Sequence, residues 1–477
     1  MTRYNFKCQT MSSKKLFLTY YGDDFTGSCD VMEALALNGV STALFLAPPS
    51  VEEVTSFRLK QPIGEHADAS LQALGVAGIS RSFTPDQMDE ELPDIFKAIS
   101  EISAEFFQYK ICSTFDSSPH IGNIGHATDL AFEFFPCHYI PLLIGAPSLN
   151  RFSVFGNLFA RVGDVTYRID RHPTMSKHPV TPMTESDIRL HLAKQTYRHA
   201  KLMDIFSLEA EEEERNEKFH QLHNESGEFI LFDILNDQHL LHAGQLIISH
   251  KYETTQLLVG SSGLEYALCS YLQHIGQLKK PPPPSSPGKA GQMIAVAGSA
   301  APSTHSQIEW AILHGFEDIR MKTEAIVHPD QKEAEVKRIE EKALQALNEG
   351  KSVVIYSTLG ADDPAIVRTR QVIETLQVKQ TTSELLAGTQ GEILKNLLEQ
   401  TGVRRVAVAG GDTSGYVARA LGIYALEILI PIAPGSPLCT AHAKNPAFDG
   451  LQIALKGGQN GKPDYFGSVL HGKEEIS

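Results

Sequence analysis

Two short segments carry the side chains best suited to chemistry, and the first is Asp23-Asp24. This pair lies between two glycines, directly after the apolar run at 16–21 and before a helical pattern. One Asp would suffice as an N-cap, and neighbouring carboxylates repel each other. We therefore expect a carboxylate here to bind ligand hydroxyl groups or to accept a proton from a reacting hydroxyl. A plain capped turn is the alternative.

The second segment, Gly410-Gly411-Asp412-Thr413-Ser414, follows the apolar run at 405–409. Its glycines allow a ligand to approach the backbone closely, and the N–H groups at the start of the next helix favour an anion. Thr413 and Ser414 add hydroxyl donors. This composition predicts a phosphate cradle, although it matches neither the P-loop nor the dinucleotide fingerprint. A tight strand–helix turn is the alternative.

Further polar segments follow other predicted strands. In the C-terminal half these are the segment that begins at Gly298-Ser299, Ser357-Thr358, and a glycine-rich turn at 456–461 that contains Gly458. Each is weak alone, but together they favour a nucleotide site.

The N-terminal half offers hydroxyls, carboxylates and cations, which suit a polyhydroxylated anion. Asp116 follows a Ser-Thr segment, and Arg151 and Arg168 could each bind a carboxylate through two hydrogen bonds. Surface loops with incidental charge are the alternative.

The elements that must position these residues are short, β-branched apolar runs that alternate with helical patterns. This alternation predicts an α/β protein with doubly wound, mainly parallel sheets, in which ligands bind beyond the carboxyl ends of the strands. At 477 residues the chain is too long for one core.

A proline-rich linker at 279–291 suggests where the chain divides, because four consecutive prolines fit neither a helix nor a central strand. The predicted domains are 15–278 and 292–470, and residues 1–14 are predicted to be a flexible arm.

Composition narrows the class of protein. A formal charge of −15 argues against a nucleic-acid partner. No apolar run approaches 18 residues, so no membrane segment is expected. Scattered cysteines and the lack of a signal-like N-terminus predict a cytoplasmic protein.

The motifs D-D-F-T-G near the start and G-G-D-T-S-G near the end resemble those of the four-carbon acid sugar kinases. The resemblance covers residues 15 to about 467. It implies an N-terminal domain that binds a sugar acid and a C-terminal domain that binds ATP with Mg²⁺. By position, Asp23, Asp24 and Arg151 would lie at the sugar acid. ATP would contact Ser299, Gly458 and the segment from Gly410 to Ser414.

The resemblance thus predicts transfer of the γ-phosphoryl group of ATP to a hydroxyl of a small sugar acid. Asp24 and Asp412 are the two candidates for the proton acceptor, and Asp412 could instead orient the metal. No protein ligand of the metal is assigned. Members of the family phosphorylate threonate, erythronate, 3-oxo-tetronate or 3-oxo-isoapionate, and the sequence does not choose among them. A homodimer remains open. The competing hypotheses are an NAD-dependent dehydrogenase and a non-catalytic sugar-acid sensor.

Overall fold

The computed structural model describes residues 15–61, 69–222 and 227–473. The predicted arm, 1–14, lies outside the described residues. Short apolar strands alternate with helices along most of the chain, as the sequence pattern predicts. The strands are β1 Leu16–Gly22, β2 Thr42–Phe45, β3 Ala73–Ala77, β4 Ala104–Lys110, β5 Tyr139–Leu143, β6 Arg151–Val154, β7 Asn157–Val162, β8 Val165–Arg168, β9 Ala200–Met203, β10 Glu228–Phe232, β11 Gln256–Gly260, β12 Ile294–Ala297, β13 Glu317–Arg320, β14 Val353–Tyr356, β15 Arg405–Ala409, β16 Ile423–Ile430, β17 Leu438–Ala443 and β18 Gln452–Lys456.

The helices fill the intervals between the strands. They are α1 Phe25–Leu37, α2 Val51–Ser56, α3 Pro85–Ser100, α4 Ile124–Phe134, α5 Ile188–Leu192, α6 Ile205–Glu209, α7 Glu212–Leu222, α8 Asp237–Ser249, α9 Gly263–His274, α10 Pro302–Leu313, α11 Thr323–Ile326, α12 Pro329–Asn348, α13 Pro364–Leu376, α14 Thr382–Thr401, α15 Gly411–Ala420 and α16 Tyr465–His471. Short 3₁₀ turns lie at Ser80–Ser82, Pro147–Leu149, Ile169–Arg171 and Met175–Lys177.

The strands form one large sheet and one small one. The large sheet has 15 strands in the order β13-β14-β12-β15-β18-β17-β16-β2-β3-β1-β4-β11-β5-β10-β9, and β6, β7 and β8 form a separate antiparallel sheet. Eight neighbouring strands from the N-terminal half are parallel to one another, as are five from the C-terminal half. The predicted α/β class with mainly parallel sheets is therefore confirmed.

The two halves of the large sheet are joined edge to edge, which the sequence did not predict. β16 pairs antiparallel with β2, and β17 pairs antiparallel with both β16 and β18. Hence β18 runs antiparallel to β2, and in a flat sheet the ligand-binding ends of the two halves would face opposite edges. At the typical strand twist of about 20–25° per pair, the five pairs from β1 to β18 would turn these ends by about 100–125°. The irregular register between β16 and β17 adds to this twist.

Apolar side chains cover both faces of the large sheet. Alternate residues of β12 enter different clusters: Ile294 and Val296 lie on one face, and Ala295 and Ala297 on the other. The first of these clusters also contains Leu18 and Tyr20 of β1, so it is continuous across both halves. The helices between parallel strands account for this two-sided burial.

The proline-rich segment 279–291 contains no helix or strand. Its last part is held against the C-terminal half, because the Arg405 guanidinium donates to the Gly288 carbonyl and the Ala290 N–H donates to the Leu470 carbonyl. The segment thus connects the two halves and is itself partly held by hydrogen bonds to the C-terminal half. The domain limits 15–278 and 292–470 stay a prediction. Within the described ranges, none of the helices has the length and apolar character needed to cross a bilayer.

One buried carboxylate fixes the junction beside β2 and β16. Glu427 is 2% exposed and accepts hydrogen bonds from the backbone N–H groups of Lys60 and Gln61 at 3.0 and 3.4 Å. Its Oε1 lies 3.6 Å from Nε2 of His442. The neighbouring Lys60–Asp449 ion pair, at 2.5 Å, crosses the same junction.

Replacing Glu427 with Leu should lower the free energy of unfolding by about 2–4 kcal/mol, because two N–H groups lose a charged acceptor. The measurement is urea denaturation followed by circular dichroism. Glu341→Leu, at a position whose side chain is 68% exposed, is the control and should change stability by less than about 0.5 kcal/mol. Equal stability of the two variants would show that Glu427 does not hold the junction.

Candidate active site

The Asp23-Asp24 pair lies at the carboxyl end of β1, and one arginine holds both carboxylates. Asp24 is the N-cap of α1 and accepts the Gly27 N–H at 2.8 Å, so the capped-turn interpretation holds for this residue. Arg81 donates to Asp23 at 2.7 and 3.1 Å and to Asp24 at 2.8 Å through two nitrogens. The charge repulsion expected from the sequence is thus relieved by a guanidinium between the carboxylates.

Burial raises the pKa of the Asp23 carboxyl to about 6, with Arg81 opposing the rise and Asp24 adding to it. Asp24 is the more exposed of the two, since its side chain keeps 29% of its accessible surface against 5% for Asp23. Asp24 is therefore the carboxylate better placed to meet a ligand, and Asp23 mainly orients Arg81.

A second buried cation explains the glycine of the D-D-F-T-G motif. Nζ of Lys110, at the end of β4, donates to the Ile111 carbonyl at 2.9 Å and lies 3.7 Å from Asp30. A Cβ on Gly27 would fall 3.0 Å from that nitrogen and 2.6 Å from Oδ1 of Asp24. Glycine is needed there because α1 passes directly over Lys110.

Asp116 and Arg151 lie near this cluster. Asp116 accepts a 2.5 Å hydrogen bond from Thr114, whose hydroxyl also contacts Sγ of Cys112 at 2.9 Å. Asp116 and Cys112 are both in electrostatic range of Arg81, and Arg151 is in range of Cys112. The structure thus brings four of the predicted N-terminal residues into one neighbourhood: Asp23, Asp24, Asp116 and Arg151.

Arg151 is the least committed cation of this group. Its Nη1 donates to the carbonyls of Leu149 and Asn150, whereas its Nε is buried and makes no hydrogen bond among the described residues. Burial lowers the pKa of Arg151, and no ion pair joins its guanidinium to a carboxylate among the described residues. A partly buried guanidinium in this condition favours an anionic ligand.

Arg168 is engaged elsewhere. It forms a bidentate pair with Asp170 at 2.5 and 2.7 Å on the small sheet, and its side chain is 39% exposed. The nearby His172 has a structural role, because its Nδ1 accepts hydrogen bonds from the N–H groups of Thr174 and Met175. Nothing in these contacts directs Arg168 to the Asp23–Asp24 cluster, and its substrate role stays a prediction.

In the C-terminal half, a cleft of about 470 Å³ gathers the predicted nucleotide residues. It is lined by Ser299, which follows β12, and by the segment from Gly410 to Thr413, which follows β15. Gly410 precedes α15 with a φ of 132°, a backbone conformation that favours glycine. The exposed Asp412 lies in the first turn of that helix. The helix N-terminus therefore faces a cavity of a size suited to a small ligand.

Close packing fixes the glycines of this cleft. A Cβ on Gly298 would fall 2.1 Å from the Thr413 hydroxyl, and one on Gly410 would fall 3.0 Å from it. Three buried polar atoms around the cleft have no hydrogen-bond partner among the described residues: Oγ of Ser414, Oγ1 of Thr358 and Oε1 of Gln390. Unpaired buried polar atoms are costly, so the walls of this cleft contain hydrogen-bonding capacity that the described residues leave unused.

Gly458 packs against the other side of Ser299. A Cβ on Gly458 would fall 2.1 Å from the Ser299 hydroxyl, so only glycine fits. The hydroxyls of Ser303 and Thr304 each donate to the Gly458 carbonyl at 2.7 Å. The structure thus brings the predicted Gly458 beside the predicted Ser299.

The two halves of the protein meet between the Asp23–Asp24 cluster and the glycine turn beside the nucleotide cleft. Thr26, two residues after Asp24, packs against the glycine loops of the C-terminal half. A Cβ on Gly457 would lie 2.9 Å from its hydroxyl, and one on Gly435 would lie 3.1 Å from its backbone oxygen. The N-terminus of α1 therefore contacts the turn that adjoins the nucleotide cleft.

Sequence reasoning missed several residues of this region. Arg81 follows β3 and could have been found by inspecting the end of that strand, but one arginine in a serine-rich turn gave little signal. Lys110 and Lys456 are buried cations inside strands, for which hydrophobic patterning gives no sign. The sequence analysis assigned no site residue to the cleft wall from α13 and α14, which includes Thr369, Arg370 and Thr382. Within the described ranges, no three His, Cys, Asp or Glu side chains form a metal-binding group.

Comparison with known proteins defines the class. A family model described as a sugar-binding N-terminal domain matches residues 18–268, and one described as a nucleotide-binding C-terminal domain matches 294–466. The 3-oxo-isoapionate kinase of Paraburkholderia graminis is 41% identical over 96% of this chain and 95% of its own length. The 3-oxo-tetronate kinase of Pseudomonas savastanoi pv. phaseolicola is 29% identical over 97% and 98%.

The fold is shared with a solved Haemophilus influenzae protein, at a TM-score of 0.69 and 24% identity over 94% of this chain and 98% of that one. The molecule is thus a two-part α/β protein with a sugar-binding and a nucleotide-binding half. It belongs to the four-carbon acid sugar kinase family and is an ATP-dependent sugar-acid kinase, as the motifs predicted. The competing dehydrogenase and sensor hypotheses are set aside.

Gly298→Ala should displace the Thr413 side chain, destabilise the protein by about 1–3 kcal/mol and weaken ATP binding about tenfold or more. Gly388→Ala is the matched control, because the nearest atom to a Cβ there is 4.0 Å away and the residue lies within α14. It should leave ATP affinity unchanged and raise stability by up to about 1 kcal/mol. Thermal unfolding and calorimetric titration with an ATP analogue measure both effects. Unchanged ATP affinity in Gly298→Ala would contradict the placement of the cleft.

Proposed function

We propose that this kinase phosphorylates a hydroxyl group of 3-oxo-isoapionate or a closely similar 3-oxo sugar acid. The observation that carries the proposal is the 41% identity with a 3-oxo-isoapionate kinase across nearly both full chains. The 3-oxo-tetronate kinases among its relatives reach 25–29%. An acidic substrate agrees with the uncompensated charge of Arg151.

The sugar acid would bind at the N-terminal cluster. Arg151 would bind the substrate carboxylate through its uncommitted N–H groups, and Asp116 and Asp24 would accept hydrogen bonds from hydroxyls. Arg81 would hold Asp24 in place through the hydrogen bonds described above. Arg168 stays a weaker candidate for the same ligand because Asp170 already occupies its guanidinium.

ATP would bind in the 470 Å³ cleft. Ser299, Gly458 and the segment from Gly410 to Ser414 would contact its phosphates, and the N-terminus of α15 would favour their negative charge. Mg²⁺ fits this donor set only if phosphate oxygens and water supply most ligands, since Asp412 is the exposed carboxylate at the cleft. When bound, the metal would neutralise phosphate charge during transfer.

Asp24 is the better candidate for the proton acceptor. It caps the helix whose first turn touches the Gly457 turn, and it is more exposed than Asp23. Asp412 lies in the first turn of α15, beside the proposed position of the phosphates, and would orient the metal instead. Closure of the two halves would exclude water from the transferred group. We further propose that the protein is cytoplasmic, and a homodimer remains open.

The function is tested by measuring ADP release with a panel of sugar acids: 3-oxo-isoapionate, 3-oxo-tetronate, threonate and erythronate. We expect the highest kcat/KM with 3-oxo-isoapionate. A higher value with 3-oxo-tetronate would contradict the proposed substrate but keep the class, and ADP release with none of the four would contradict both.

Asp24→Asn should reduce kcat by about 10²–10⁴-fold while leaving ATP affinity nearly intact. Asparagine is an equally good N-cap, so α1 should persist. Asp187→Asn is the matched control, because Asp187 likewise caps a helix, α5, and pairs with an arginine, Arg189, outside the cluster. It should retain activity. Full activity of Asp24→Asn, or loss of ATP binding in it, would contradict the assignment.

A further inference from the structure

Lys456 is a buried ammonium group that the mechanism above does not use. It is the last residue of β18 and is fully buried. Its Nζ donates to the Gly457 carbonyl at 2.9 Å, to the Gly458 carbonyl at 3.3 Å and to the Thr304 hydroxyl at 3.3 Å. No carboxylate pairs with it among the described residues. Burial lowers its pKa to about 7. Charging a buried amine that has no counter-ion is expensive, so the presence of a lysine here calls for a role.

The contacts of Lys456 determine how the Gly457–Gly458 turn faces the cleft. Its ammonium group and the Ser303 and Thr304 hydroxyls all draw the Gly458 carbonyl toward the protein interior. In a trans peptide the N–H points opposite to the carbonyl of the same plane. The N–H groups of Gly458 and Gln459 therefore point outward, away from Lys456. No hydrogen bond between described residues engages either of them.

Consecutive outward N–H groups form an anion-binding concavity, and a positive charge behind them strengthens it. Gly458 lies against Ser299, which lines the nucleotide cleft. Resting on the proposed placement of ATP in that cleft, we propose that Lys456 is a positioning residue. It orients the Gly457–Gly458 turn so that the N–H groups of Gly458 and Gln459 bind the nucleotide phosphates. The phosphates in turn supply the counter-charge that Lys456 lacks.

The surroundings of Lys456 contain few groups that could titrate in its place. The Tyr465 ring of α16 is centred 5.7 Å from Nζ, and its hydroxyl donates to the Ser436 carbonyl. Burial raises the pKa of that phenol, and the Cys439 and Cys29 thiols and Glu33 that face it act in the same direction. From α10, Thr304 contributes a hydroxyl only, and His305 pairs with Glu309. A proton taken up when phosphates bind would therefore reside on Lys456.

The test compares wild type with Lys456→Met, which preserves the length of the side chain without its charge. A non-hydrolysable ATP analogue is titrated at pH 8 in two buffers of different ionisation enthalpy. We expect wild type to take up most of one proton per nucleotide, because its lysine is largely neutral before binding, whereas Lys456→Met takes up none. We expect the variant's Kd to rise by about 10–100-fold, as for loss of a charge-assisted contact. In wild type, affinity should fall as pH rises above about 7, and in the variant this pH dependence should disappear.

Two further variants keep the test decisive if Lys456→Met fails to fold. Ser303→Ala removes one of the donors to the Gly458 carbonyl and should weaken binding by about 2–5-fold with proton uptake preserved. Lys337→Met, at a side chain that is 75% exposed, is the control and should match wild type. The proposal is overturned if wild type takes up no proton at pH 8, or if Lys456→Met binds the analogue as wild type does. Failure of wild type to bind the analogue at all would instead count against the proposed ATP site.

Discussion

The antiparallel pairing of β2 with β16 is the constraint on which the arrangement of the site depends. Each half is a parallel sheet whose ligand-binding edge follows from its own strands. The pairing of β2 with β16 sets the position of the two edges relative to each other. Thr26 touches the glycine loops of the C-terminal half because of this geometry. An apolar cluster continuous across both halves supports the junction, so the halves are packed together and not merely tethered.

Charge is the second organising feature, and it is distributed unevenly. The protein carries a formal charge of −15, yet four cations near the two candidate sites, Arg81, Lys110, Arg151 and Lys456, are buried or partly buried. Arg81 is neutralised by Asp23 and Asp24, and Lys110 lies near Asp30. Arg151 and Lys456 lack carboxylate partners among the described residues. The paired cations hold the D-D-F-T-G segment in shape, whereas Arg151 and Lys456 have no such charge balance.

The sequence allowed prediction of those parts of the site that follow a local rule. Asp23, Asp24 and the Gly410–Ser414 segment follow apolar strands directly, and the rule that ligands bind at strand ends located them. The β2–β16 pairing obeys no local rule, because it joins edges far apart in the chain through backbone groups that every residue carries. Lys110 and Lys456 were missed for a related reason: each completes an apolar strand, and only the packed structure shows that a charge is enclosed there. Arg168 shows what residue type alone leaves out: an arginine suits an anionic ligand, but only the structure shows that Asp170 pairs with this one, and its substrate role stays a prediction.

The two cations without carboxylate partners, Arg151 and Lys456, would make the free energy of the protein depend on whether its ligands are bound. A buried cationic group without a carboxylate partner is costly to charge in the unliganded protein, and a bound anion lowers that cost. Arg151 would be neutralised by the substrate carboxylate and Lys456 by the nucleotide phosphates, on opposite sides of the contact between Thr26 and Gly457. Each ligand would then stabilise the side of the Thr26–Gly457 contact on which it binds. Because both sides share that contact, a ligand on one side would stabilise the same Thr26–Gly457 contact against which the other ligand would bind.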